Sequence, residues 1–236
     1  MCELFGLSCN CVRKATQSLY NFAEHSCRNP HGWGIAYYKD SEAILKKMPE
    51  EARSSPDFYR VAETAESNII ISHIRNASCG EQHERNCHPF KRVFQGKSWV
   101  FAHNGHVDGV ARHPRALGET DSESVFNMLL DSIEEYSSSG SGTEYSGLVA
   151  GISGIFTNYE YGRDVKLNFV MSEGTDLYAF NHHPQKPMYY ARSSSPHGDY
   201  VIVSTQMLDG IVWERLPEDK LLLVRDGKVM ALSERI

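Results

Sequence analysis

Directly behind the first methionine stands a cysteine, Cys2 in "MCELFGLS", at the head of an apolar run. Methionine aminopeptidase removes Met1 when the next residue is small, and cysteine qualifies. The product carries a thiol and a free α-amine on one residue. An α-amine has a pKa of about 7.7–8.0 and a thiol about 8.5. The amine can therefore act as a general base near neutral pH, directly or through one water. A thiol nucleophile needs an adjacent base, and here one residue would supply both. The alternative is a chance cysteine at position 2.

Three further stretches hold groups that suit such a nucleophile. "HIRNASCG" (73–80) closes an expected strand with Arg75, whose planar fork matches a carboxylate. "AHNGHV" (102–107) sets the Asn104 side-chain amide beside the unobstructed backbone N–H of Gly105. That pair can form an oxyanion hole, or simply a turn. "ETDSES" (119–124) places Asp121 at a helix start, where it can bind an ammonium group or cap the helix. Together they describe a site for an amino acid with a side-chain carbonyl. Arg75 would hold the α-carboxylate and Asp121 the α-ammonium. Cys2 would attack the side-chain carbonyl, while Asn104 and Gly105 receive the developing O⁻.

The elements that must position these groups follow from periodicity. "CELFGLSC" suits a short buried strand, and Val12, Ala15, Leu19, Phe22 and Ala23 recur at helical spacing up to Cys27. "GWGIAYYKD" and "AILKKM" read as a hairpin. Ser55-Pro56 is an N-cap followed by proline at the first helical position, opening a helix with Phe58, Val61, Ala62 and Ala65. "NIIISHIR" and "SWVFAHNG" are strands. Asp121 or Ser122 caps a helix whose stripe is Val125, Met128, Leu129 and Ile133, and "YSGLVAGISGIFTNY" holds a further helix. After Lys166 the pattern is strands: "KLNFVMSE", "DLYAFNHH", "PMYYARS", "YVIVSTQ" and "KLLLVRDGKVMALS". Asp226-Gly227 is a two-residue hairpin signal inside the last. Hairpins outnumber strand–helix–strand units, so an α+β fold is expected, with two mainly antiparallel sheets and helices packed outside them.

Composition narrows the class. A net charge of −6 disfavours a general nucleic-acid binder, which needs a basic face. No apolar run approaches the ~20 residues that span a bilayer, and no secretory signal opens the chain. The expectation is a soluble cytoplasmic protein, one domain over 2–236, with no membrane or nucleic-acid partner. In that compartment the six cysteines are free thiols or ligands rather than disulfides. Cys9, Cys11, His25 and Cys27 raise the thought of zinc, but their spacing is poor against the usual C-x2-4-C pairs. No metal or cofactor is expected.

The ordered motifs resemble a known family. N-terminal Cys, H-x-R-x-A-[ST], H-N-G and T-D-[ST]-E, in that order, are similar to the class II glutamine amidotransferases. "PHGWGIAYY" (30–38), "NCHPF" (86–90) and "WERLPEDKLLLVRDGK" look like the stand-alone members, which lack a fused synthase domain. The resemblance implies an N-terminal-nucleophile hydrolase with a four-layer αββα sandwich. It implies Cys2 as nucleophile and base, Asn104 and Gly105 as the oxyanion hole, and Arg75, Ser78 and Asp121 as substrate contacts. His31, His73, His88 and His103 read as hydrogen-bonding supports. Asn76 and Cys79 stand where the synthase-fused glucosamine-phosphate type has Trp and His, and Gln206 where stand-alone relatives often have Glu. The implied reaction is hydrolysis of the γ-glutamyl amide of glutamine or a related compound, releasing glutamate and ammonia or an amine. A separate synthase subunit would take the ammonia, or the substrate is a larger γ-glutamyl compound. The rival is a catalytically silent module that senses an amino acid or docks a partner.

Overall fold

Local signals set most of the elements. The Ser55 hydroxyl accepts from the Phe58 N–H at 3.2 Å, and Pro56 follows it at the first helical position. The "YKDSEA" hairpin turns through Asp40 and Ser41, and the last hairpin through Asp226 and Gly227, all at positive φ. The computed structural model describes residues 2–77, 80–138, 140, 142–159, 164–194, 198–208 and 210–236.

In chain order the first half comprises β1 (Glu3–Lys14), α1 (Thr16–Ala23), β2 (Gly32–Lys39), β3 (Glu42–Met48), α2 (Pro56–Thr64), β4 (Glu66–Arg75), β5 (Phe90–Phe94) and β6 (Lys97–Val107). Then come α3 (Asp121–Ser138), α4 (Glu144–Tyr159), β7 (Val165–Ser172) and β8 (Asp176–Asn181). The chain closes with β9 (Tyr189–Ser193), β10 (Tyr200–Ser204), β11 (Glu214–Arg215), β12 (Lys220–Arg225) and β13 (Lys228–Leu232). Among the described residues one sheet runs β11-β9-β10-β1-β4-β2-β3 and the other β13-β12-β8-β7-β6-β5. Every registered pair is antiparallel.

Three apolar layers separate four structural ones. Phe5, Leu19, Phe22, Trp33, Phe58 and Ile70 pack α1 and α2 on the first sheet. Leu4, Ile69, Ile71, Val100, Val170 and Val203 fill the space between the sheets. Phe101, Phe126, Leu129, Leu148, Phe169 and Phe180 pack α3 and α4 on the second sheet. The result is the αββα sandwich. Strand alternation explains the sorting: Leu4 faces the other sheet, Phe5 faces the helices. Gly6 shares the inward parity of Leu4, and a Cβ there would lie 2.8 Å from a Val170 methyl. The glycine in the opening run thus lets β1 cross β7 closely.

One expected boundary is corrected. Val12 belongs to β1, which continues to Lys14, and its side chain is exposed; the helix starts only at Thr16. Past Ser8 the β1–β4 pairing shifts register, which lets the strand outrun its buried part. The strand over Phe90–Phe94 is not expected from the sequence pattern and forms by pairing with β6.

Candidate active site

Pairing of β1 with β4 decides where Cys2 lies. Glu3 is opposite Ile74, so Cys2 leaves the strand tip beside Arg75 and Asn76. Cys2 shares the parity of Leu4, which turns its side chain to the space between the sheets. The Asn76 N–H donates to Cys2 Sγ at 3.2 Å, and Sγ lies 3.4 Å from the Asn76 carbonyl oxygen. Burial pushes the thiol pKa up, against the opposing pull of the Asn76 N–H and the Arg75 charge. The resting thiol is therefore protonated, and its use as a nucleophile requires a base.

The continuous buried run of β6 ends at Asn104, and half-buried Gly105 follows it. The Asn104 Nδ2 donates to the Cys2 carbonyl oxygen at 2.6 Å, fixing the tip of β1. A primary amide has two N–H groups, so this bond leaves a second. A Cβ on Gly105 would run into the Lys166 carbonyl oxygen of β7. Only glycine permits that approach, and it keeps the backbone bare at this point.

Arg75 is buried at the end of β4. Its guanidinium donates to the carbonyls of Gly80 (3.2 Å) and Glu81 (3.1 Å), bracing the loop that follows. Asp121 begins α3, and its Oδ2 accepts from the Val107 N–H at 2.9 Å and lies 3.3 Å from His106 Nδ1. The carboxylate therefore ties the end of β6 to the start of α3. Cys2, Arg75, Gly105 and Asp121 all line one cavity of about 30 Å³, and Asn104 adjoins it through Cys2. Ser78, the remaining expected substrate contact, lies outside the described residues, as does Cys79.

The histidines do form supports. His31 Nδ1 accepts from the Ala77 N–H at 3.0 Å. His103 Nε2–H donates to the Lys166 carbonyl at 3.1 Å, and its Nδ1 accepts from the Ser122 hydroxyl at 2.8 Å. His73 Nε2 lies 3.1 Å from the His103 carbonyl and 3.0 Å from His88 Nδ1. A carbonyl only accepts, so His73 Nε2 carries the proton and His88 Nδ1 does not. Burial lowers the pKa of all three rings, that of His73 to about 3, so the column is neutral.

Glu3 was not singled out in the sequence. It is buried beside Cys2 and receives Lys186 Nζ (2.5 Å), Thr205 Oγ1 (2.6 Å) and Gln206 Nε2 (2.9 Å). The usable signal was a carboxylate inside an otherwise apolar strand. The same contact explains Gln206: an amide there donates to Glu3, where a glutamate would add a second carboxylate. Cys9 faces the helix-covered core, and its thiol lies 2.9 Å from the Cys11 carbonyl oxygen. Among the described residues the grouping with metal-ligand spacing is Glu144, Glu173 and Asp176, not the cysteines.

Comparison with known proteins places this geometry. The model of the class-II glutamine amidotransferases matches residues 1–201. An uncharacterized protein of Methanocaldococcus jannaschii is 29% identical over 265 aligned positions, covering 100% of this chain and 72% of that protein. YafJ of Escherichia coli, provisionally named a glutamine amidotransferase, is 34% identical over 143 residues. That match covers 57% of this chain and 56% of YafJ, so the chain spans about half of YafJ's length. A solved structure of a glutamine amidotransferase predicted in Pseudomonas aeruginosa has a TM-score of 0.69 at 22% identity, covering 97% of this chain and 99% of that one. Glutamine phosphoribosylpyrophosphate amidotransferase from B. subtilis gives 0.70 at 14% identity, over 99% of this chain and 49% of that one. At such identities the structural likeness bears on the fold.

Proposed function

This chain belongs to the class-II glutamine amidotransferases and has their N-terminal-nucleophile sandwich, and on that premise we propose that Cys2, once Met1 is removed, cleaves a γ-glutamyl amide. The observation that carries the reading is the meeting of Cys2, Arg75, Gly105 and Asp121, far apart in sequence, on one cavity.

The steps follow from the groups present. The freed α-amine takes the thiol proton, directly or through one water. The thiolate attacks the side-chain carbonyl carbon, and its oxygen becomes O⁻. The second N–H of Asn104 and the Gly105 backbone N–H receive that charge. The protonated amine then gives its proton to the leaving nitrogen and the C–N bond breaks. Ammonia or an amine departs, leaving a γ-glutamyl thioester. Water, losing a proton to the same amine, attacks the thioester and releases glutamate. Arg75 holds the α-carboxylate of the substrate and Asp121 its α-ammonium, with Ser78 as a further contact. The substrate is glutamine, with ammonia handed to a separate synthase subunit, or a larger γ-glutamyl amide.

The test is glutamate release from glutamine and from γ-glutamyl amides, with 6-diazo-5-oxo-norleucine as inactivator. The expected results are turnover, a mass increase on a peptide that starts at Cys2, and an inactive Cys2→Ala variant. An active Cys2→Ala protein sinks the proposal. Absence of turnover with every amide, together with glutamine binding, marks a sensing module instead.

A further inference from the structure

Two polar atoms on the Cys2 cavity are left without a partner. His88 and Thr120 both line it, and they are only 5% and 7% exposed. Among the described residues neither His88 Nε2 nor Thr120 Oγ1 has a hydrogen-bond partner. Leaving a buried polar atom unpaired is costly. The fold keeps two of them on the one cavity that holds its nucleophile.

The proton inventory fixes what His88 offers. His103 Nε2–H is taken by Lys166, and the His103 carbonyl is met by His73 Nε2–H. That N–H also faces His88 Nδ1, leaving Nδ1 as an acceptor and Nε2 as the protonated nitrogen. His88 therefore presents a neutral donor, held in orientation by a chain anchored on the same strand as Asn104 and Gly105. Burial, foremost, and then the neighbouring His73 and His103 keep that ring neutral. Thr120 stands next to Asp121 and presents a hydroxyl that can donate or accept.

We propose that His88 and Thr120 are substrate-binding residues, doubling each charged contact with a neutral one. His88 Nε2–H donates to the α-carboxylate beside Arg75, and Thr120 Oγ1 accepts from the α-ammonium beside Asp121. The inference rests on the γ-glutamyl reading above and deepens it. The site takes substrates whose γ-glutamyl head has both α-groups free, whatever hangs on the leaving nitrogen.

The experiment pairs steady-state kinetics on glutamine with calorimetric binding of L-glutamate, which needs no turnover. Thr120→Val is nearly isosteric and removes only the hydroxyl's polarity. It should raise KM and the glutamate Kd by about tenfold, more than it lowers kcat, as expected for a lost bond to a charged group. His88→Leu should do the same, and His88→Gln, which keeps a donor of similar reach, should recover part of the loss. Unchanged KM and Kd in folded Thr120→Val and His88→Leu proteins overturn the inference. So does a lowered melting temperature with unaltered glutamate affinity, which marks a packing role. If the wild-type protein binds glutamate but turns over no amide, the catalytic reading fails while the variants still decide this one. If it neither binds glutamate nor cleaves any amide, both fall.

Discussion

The β6–β7 pair carries a buried polar cluster at each end, and the two are solved by opposite means. At one end His73, His88 and His103 stack neutral, held by carbonyls, a hydroxyl and one another, with His73 Nδ1 and His88 Nε2 left without a partner among the described residues. At the other, Glu144, Glu173 and Asp176 bring three carboxylates within 4.8 Å. There the fold answers with cations: Arg225 grips Asp176 with two bonds of 2.5 and 2.6 Å, and Lys97 meets Glu144. Among the described residues Glu173 Oε2 has no partner, and burial, then the charges of Asp176 and Glu144, raise the pKa of that carboxyl to about 7. The difference teaches that uncharged hydrogen bonding can order a buried column without counter-ions of its own. On the reading proposed above, a cation fixed on Asp121 would compete there with the substrate ammonium.

The contrast also sets opposite pH slopes. Histidines whose folded pKa lies below the unfolded value of about 6.5 resist protonation when folded. The unfolded chain then binds more protons, and stability falls as pH drops below 6.5 toward 3. Glu173 has the reverse sign. Its folded pKa of about 7 exceeds the usual ~4.3, so stability falls as pH rises between those values.

The largest expected effect breaks the neutral end. Stability by urea unfolding should fall between pH 6.5 and 4.5 by up to about 1.4 kcal/mol per pH unit from His73 alone, with His88 and His103 adding loss of the same sign. A flat profile with His73, His88 and His103 intact would show that the column is charged or solvated. The next breaks the ionic end. Arg225→Met leaves the buried Asp176 without its partner, and should cost roughly 2–3 kcal/mol at pH 7, less than for a fully buried pair because the arginine is half exposed. The measurement is the urea midpoint, with activity on glutamine retained. The smallest sharpens the comparison. Glu173→Gln should be nearly neutral at about pH 4 and stabilising by about 1–2 kcal/mol at about pH 5.5, since it removes the cost of deprotonating a buried carboxyl that the unfolded chain deprotonates freely. A melting-temperature difference independent of pH would mean that Glu173 does not titrate in this range.

What was readable in the sequence tracks how local each signal is. The Ser55 cap, the Asp226-Gly227 turn and the β-branched run of β4 each act within a few residues, and they appear where expected. Val12 misled because a helical spacing of apolar residues overlapped a strand whose outer end is solvent-exposed. Phe90–Phe94 escaped because its five residues are only partly alternating, and its strand identity comes from pairing with β6. The candidate site residues were found through ordered motifs. Their burial, the Asn104 grip on Cys2 and the His73–His88 contact depend on strand register between distant segments, which no single stretch encodes. The acidic cluster joins the start of α4 to the β7–β8 turn and is equally non-local.

The position of β1 carries a consequence for biogenesis. It is sandwiched between β4 and β10, and its partners on the β10 side are residues 200–204. Until those residues have been synthesised, one edge of β1 stays open and its tip cannot be fully clasped. At about 5–20 residues per second, that interval lasts roughly 10–40 s. On the proposed reading, excision of Met1 would have its easiest access in that time, before β10 docks. Translation would then set the clock for exposing the Cys2 amine, and a chain folded with Met1 still attached would have passed its best chance of activation.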